Sequence, residues 1–60
     1  MKAKIEIKMD NAAFENGAGA ELARILRGIT NTLHDRAVVE MEIPLRDSNG
    51  NTVGKFEVLP

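Results

Sequence analysis

"LRDSNGNTVG", residues 45 to 54, is the stretch whose reading decides the fold. It crowds Asp47, Asn49, Gly50, Asn51 and Thr52 into one oxygen-rich run, the raw material of a metal loop, a phosphate cradle or a chain reversal. Position tells them apart. An EF-hand calcium loop needs glycine at its sixth place and glutamate at its twelfth, whereas counting from Asp47 puts Gly50 fourth and Val58 twelfth. A phosphate loop needs a helix beyond its glycines, whereas residues 52–59 alternate like a strand. Asn-Gly flanked by alternating apolar residues is instead the strongest short hairpin signal. Both central residues of a type I′ turn take positive φ, and Asn and Gly do so at least cost. The expectation is a two-residue turn centred on Asn49 and Gly50. Asp47, Ser48, Asn51 and Thr52 then complete its shoulders through side-chain to backbone hydrogen bonds.

That turn sets a register. Leu45 falls opposite Gly54, Ile43 opposite Phe56 and Met41 opposite Val58, so the apolar positions share one face. A slip of one residue would put Phe56 and Val58 in water, which makes the hydrophobic pattern an independent witness to the same pairing. The first strand of the hairpin reads as residues 38–46, with Val39, Met41, Ile43 and Leu45 inward and Val38, Glu40, Glu42, Pro44 and Arg46 outward. The second reads as 52–59.

Outward from the hairpin, residues 20–34 place Leu22, Ile25, Leu26, Ile29 and Leu33 along one face of an α-helix. Gly28 weakens that helix by about 1 kcal/mol relative to alanine. His34 and Arg36 stand at its carboxyl end, where positive charge suits the helix dipole. Residues 2–9 alternate strictly, Ala3, Ile5, Ile7 and Met9 against Lys2, Lys4, Glu6 and Lys8, as a strand with one wet face does. Asp10 and Asn11 end it. Residues 12–19 read as a connection with one helical turn at 12–15, from which Phe14 folds back onto the core.

The expected fold is therefore a single α+β domain over residues 1–60, of order β-α-β-β, with a three-stranded sheet covered on one face by one helix. Its core is expected to hold Ile5, Ile7, Leu22, Ile25, Leu26, Ile29, Leu33, Val39, Met41, Ile43, Phe56 and Val58. Two strand orders remain open: a parallel pair of the first and second strands, or an antiparallel pair of the first and third. A chain of 60 residues buries only about 60% of the surface it exposes when unfolded, so it needs help to be stable. It has no cysteine, which removes disulfides and thiolate zinc together and fits a reducing cytoplasm. One histidine cannot build a nitrogen-ligated zinc centre. Self-association is the remaining device, so a homodimer is expected, joined edge to edge through a strand or through the exposed side of the helix with Phe14.

The charge balance, eight basic against nine acidic residues, favours neither nucleic acid nor an anionic membrane. No apolar run is long enough to span a bilayer, and "MKAKIEIKMD" has no signal-peptide core. In the expected register Glu42 stands opposite Glu57, with Glu40 nearby. A carboxylate pair of this kind can serve as acid and base only when walls enclose it, and on a wet sheet face among Lys4, Lys8 and Lys55 it reads as a solvated charge lattice. Arg24, Arg27 and Asn31 form a polar stripe on the outer side of the helix, which reads as solvated surface or as a partner contact. No residue pattern implies a catalytic group, a cofactor or a metal ion.

The helix "ELARILR" from Glu21 to Arg27, the hairpin "LRDSNGNTVG" and "DNAAFE" upstream of both resemble a group of short, uncharacterised proteins encoded by bacteriophages and prophages. Gly28 and the "HDR" at 34–36 depart from that pattern. The resemblance implies a small phage accessory factor, placed in the host cytoplasm, that is not an enzyme and acts by stoichiometric binding, as in blocking a host enzyme or a host defence complex. The expected contact residues are Arg24, Arg27 and Asn31, or Glu40, Glu42 and Glu57. The alternative is a small nucleic-acid-binding accessory protein of phage replication or regulation, for which Arg24 and Arg27 would meet phosphates.

Overall fold

The computed structural model describes residues 1–33 and 38–60. Strand β1 (Lys2–Ile7) leads through one 3-10 turn (Ala12–Phe14) to helix α1 (Ala18–Leu33), followed by β2 (Met41–Arg46) and β3 (Thr52–Leu59). The strands form one open sheet in the order β1-β3-β2, antiparallel throughout. The architecture is α+β, β-α-β-β, and of the two strand orders it takes the antiparallel pairing of β1 with β3. The helix begins two residues before the expected start. Gly17, at φ 77°, is its N-cap, and its carbonyl accepts from the N–H groups of Ala20 at 3.0 Å and Glu21 at 3.2 Å. The end of the helix expected at His34, and the dipole role of His34 and Arg36, lie outside the described residues.

The hairpin register is the expected one over most of its length, from Met41 opposite Val58 to Leu45 opposite Gly54. The turn that produces it is not. The Gly50 N–H donates to the Asp47 carbonyl at 3.0 Å, and the Asp47 N–H donates to the Asn51 carbonyl at 2.9 Å. Ser48 and Asn49 are therefore the central residues, and Gly50, at φ 85°, comes after them in the left-handed region. This is the three-residue loop in which a type I turn is closed by a left-handed glycine. It shifts the pairing by one residue, so that Arg46 meets Thr52, and a bulge beside Leu45 then restores the register. Val53 is the extra residue, and the bulge delivers it to the core. Next to it, Gly54 lies so close under β1 that a Cβ there would collide with the Glu6 carbonyl oxygen and sit 2.9 Å from the Ile7 Cα.

The buried core is Phe14, Ile25, Ile29, Leu45, Val53, Phe56 and Val58, ringed by the half-buried Ile7, Leu22, Leu33, Met41 and Ile43. Phe14 folds back as expected, and its burial removes it from any outward-facing surface. Three expected core residues are exposed: Ile5 at 48%, Leu26 at 43% and Val39 at 55%. Val39 is out because β2 begins only at Met41, which leaves Val38 and Val39 before the strand. Ile5, on β1, and Leu26, on α1, stand outside the buried cluster.

Candidate binding surface

The position of the helix traces to two carboxylates at the hairpin tip. Glu21, in the first turn of α1, is buried at 8% exposure; Asp47, at the start of the turn, is buried at 4%. A buried carboxylate is stable only when its oxygens are satisfied. Asp47 Oδ1 accepts from the N–H groups of Asn49 and Asn51, both at 2.9 Å, and Oδ2 accepts from Asn11 Nδ2 at 2.6 Å and Asn51 Nδ2 at 3.4 Å. Glu21 Oε1 accepts from Arg24 Nε at 2.8 Å, while Oε2 accepts from the Ser48 N–H at 2.7 Å and Arg24 Nη2 at 3.3 Å. Arg24 Nη2 also donates to the Arg46 carbonyl at 2.9 Å. These bonds tie the amino end of α1 and the segment after β1 to the β2–β3 turn.

Ionisation reflects the same contacts. The Arg24 guanidinium, then the Ser48 N–H, hold the Glu21 carboxyl below its ordinary range against the opposing effect of burial. For Asp47 burial is the largest single influence and pushes upward. The N–H of Asn51, the Asn11 side chain, the Asn51 side chain and the N–H of Asn49 together outweigh it, and the group ends below the ordinary range. Glu21 in turn raises the Arg24 guanidinium above its already high value. Every carboxylate oxygen of this clamp is taken up by a neighbour, which makes it a structural joint.

The middle of the helix faces β2. Ile25, Gly28, Ile29 and Thr32 line a shallow cleft with Ile43, Pro44 and Leu45 of β2. By helical geometry Leu22, Leu26 and Leu33 then face the β1 side. Leu33 does line, with Met1, Ala3, Val38, Phe56 and Val58, an open apolar hollow of about 430 Å³. Leu26 stands two turns before Leu33 on the same side. Ile5 continues the inward face of β1 between Ala3 and Ile7. The β1 side thus carries the hollow, with Lys2 at its rim, and Ile5, Leu26 and Val39 are exposed outside its lining.

The expected contact residues are dispersed. Arg24 is held by Glu21 and by the Arg46 carbonyl. Arg27 and Asn31 are exposed on α1, Arg27 beside Leu26, and Glu40 is exposed next to Val39. Glu42 and Glu57 are directly opposite each other on the far face of the sheet, as the register required. Lys55 Nζ lies 3.5 Å from Glu57 and 3.9 Å from Glu42, a charge lattice in which Lys55 and Glu42 are exposed and Glu57 is half-buried. Among the described residues no group of three or more His, Cys, Asp or Glu side chains is placed to hold a metal ion. None of their helices is long and apolar enough to cross a membrane.

The sequence reading missed the burial of Glu21 and the exposure of Ile5 and Leu26. The only local sign was an acidic residue in a first helical turn, which usually serves the helix dipole in water. Nothing in the spacing of residues announces that Ser48, 27 positions later, will bring its N–H to that carboxylate. No protein-family model, curated protein or solved structure matches the chain.

Proposed function

We propose that the protein is a non-enzymatic binding protein, a phage-derived accessory factor that acts as a homodimer on a host protein and inhibits it, as by blocking a host enzyme or a defence complex. The observation that carries this reading is the uncovered apolar strip of Ile5, Leu26, Val38 and Val39, each between 43% and 55% exposed. Single exposed aliphatic residues are common on protein surfaces. Four of them in a chain this small, with Val38 lining an apolar hollow beside Leu33, favour an interaction surface, because each side chain covered there gains about 1.5–3 kcal/mol. Arg27 and Glu40 border the strip and supply its polar rim, where interfaces concentrate such groups. Arg24 supports the helix that presents it.

The test is capture from bacterial lysate on the immobilised chain, with Leu26→Glu as the comparison. The expected result is a host protein retained by the parent chain and lost with the variant. Equal capture by both would overturn the assignment to this surface. A salt-dependent band shift of DNA or RNA that weakens with Arg24→Ala and Arg27→Ala would replace the reading with the nucleic-acid-binding alternative.

A further inference from the structure

We propose that the second copy of the chain joins along the free edge of β1, antiparallel, with Ile5 opposite Ile5 of the other copy. This rests on the homodimer reading above and specifies its interface. The choice of edge comes from the direction of the main-chain groups. The Lys8 N–H donates to the Val53 carbonyl at 2.8 Å, which continues the β1–β3 register beyond Ile7 opposite Gly54. Directly opposed residues of an antiparallel pair that share hydrogen bonds alternate with pairs that do not. Even-numbered residues of β1 are therefore bonded to β3, and Ala3, Ile5 and Ile7 turn their N–H and carbonyl groups to the open edge. The same alternation on the other side of β3 turns Glu42, Pro44 and Arg46 of β2 outward. Pro44, which has no N–H, stands in the middle of that edge and blocks it. The edge of β1 carries no such block.

The register comes from charge. Outward-turned residues of β1 must meet outward-turned residues of its copy, so the symmetric pairing is centred on a residue; within Lys2–Ile7, centres at Lys4 and Ile5 pair five residues of each strand, those at Ala3 and Glu6 three, and one at Ile7 a single residue. Within β1, centring on Lys4 sets that lysine against itself while pairing Lys2 with Glu6, centring on Ala3 sets Lys2 against Lys4, and centring on Glu6 sets glutamate against glutamate. Centring on Ile5 pairs Lys4 with Glu6 on both sides of the axis and Ala3 with Ile7, all with matched main-chain donors and acceptors. It leaves only Lys2 against Lys8, and Lys8 lies past the end of β1. In this arrangement Ala3, Ile5 and Ile7 of both copies form a continuous apolar floor between the two helices, and Ile5, 48% exposed in the single chain, gains a cover.

Light scattering of the full chain at tens of micromolar provides the test, with Lys4→Glu and Glu6→Lys studied separately and mixed. The parent chain is expected to be a dimer. Each variant alone sets like charges across the axis twice and weakens the dimer about tenfold or more, and the equimolar mixture restores it by pairing opposite charges. Ala3→Pro, which removes an N–H only from the open edge, is expected to give a folded monomer by circular dichroism. Ile5→Cys is expected to oxidise to a covalent dimer, in a chain with no other cysteine. A parent dimer that persists in Ala3→Pro, or whose charge variants associate no better mixed than alone, overturns the β1 edge and leaves the homodimer standing. A monomeric parent overturns both.

Discussion

The two sides of the helix solve opposite problems. On the side toward the hairpin tip, charged groups are buried and every oxygen of Glu21 and Asp47 has a donor. On the side toward β1, aliphatic groups are left in water. The difference shows that polar joints, as well as apolar area, decide where a small domain puts its core. The helix carries one apolar stripe, the bonds from the Ser48 N–H to Glu21 and from Arg24 to the Arg46 carbonyl fasten its first turns to the hairpin, and Ile25 on that stripe faces β2. What is gained by Ile25 is lost by its neighbour Leu26.

The contrast can be broken most severely at Gly54, where the two sides meet. Gly54→Ala drives a methyl group into the Glu6 carbonyl and is expected to cost more than the roughly 1–3 kcal/mol of ordinary overpacking, with loss of the cooperative unfolding transition by circular dichroism. Next comes the adjacent pair that the sequence treats as equals. Ile25→Ala, on the clamped side, is expected to destabilise by about 2–5 kcal/mol in urea unfolding, as for a buried aliphatic residue. Leu26→Ala, on the open side, is expected to stay within about 1 kcal/mol in the lone chain. Equal losses at the two positions would mean that the helix does not turn Ile25 inward and Leu26 outward.

Acid offers a finer cut. Glu21 and Asp47 both titrate below the ordinary carboxylate range in the folded chain, so the unfolded chain binds their protons first as pH falls. Their contribution is fully present above about pH 5 and is lost as pH falls below about 4, through the folded values. Urea midpoints between pH 6 and pH 3 are expected to fall steeply for the parent chain. Asp47→Asn is expected to be less stable at pH 6 and flatter toward pH 3. Substituting the exposed Glu42 by Gln is expected to give the smallest effect, a change within about 0.5 kcal/mol at either pH, since its contact with Lys55 is 3.9 Å long and solvated.

Much of this fold was legible because its signals are local and repeated. Alternation along 2–9, of which β1 keeps only 2–7 and leaves Met9 exposed, alternation along 52–59, the apolar spacing from Leu22 to Leu33 and the Asn-Gly reversal each report on a few neighbouring residues. The hairpin is instructive because the expected register holds although the expected turn does not. A longer loop and a one-residue bulge at Val53 compensate, and the apolar face of Phe56 and Val58 admits no other pairing. The clamp was not legible in the same way. Asp47 declares itself as a turn residue, but its bond to Asn11 spans 36 positions and the bond from Ser48 to Glu21 spans 27. No periodicity encodes such pairs.

Residue order by itself determined the element types, their sequence and the hairpin pairing, because backbone propensity and hydrophobic alternation act over distances shorter than one element. Only the tertiary structure decided that β1 pairs with β3, that Val53 turns inward, and that Leu26 and Ile5 stay outside. Those outcomes depend on which distant segments meet, by a strand ladder between β1 and β3, a bulge beside Leu45 and donors for buried carboxylates, and that is a property of the assembled chain.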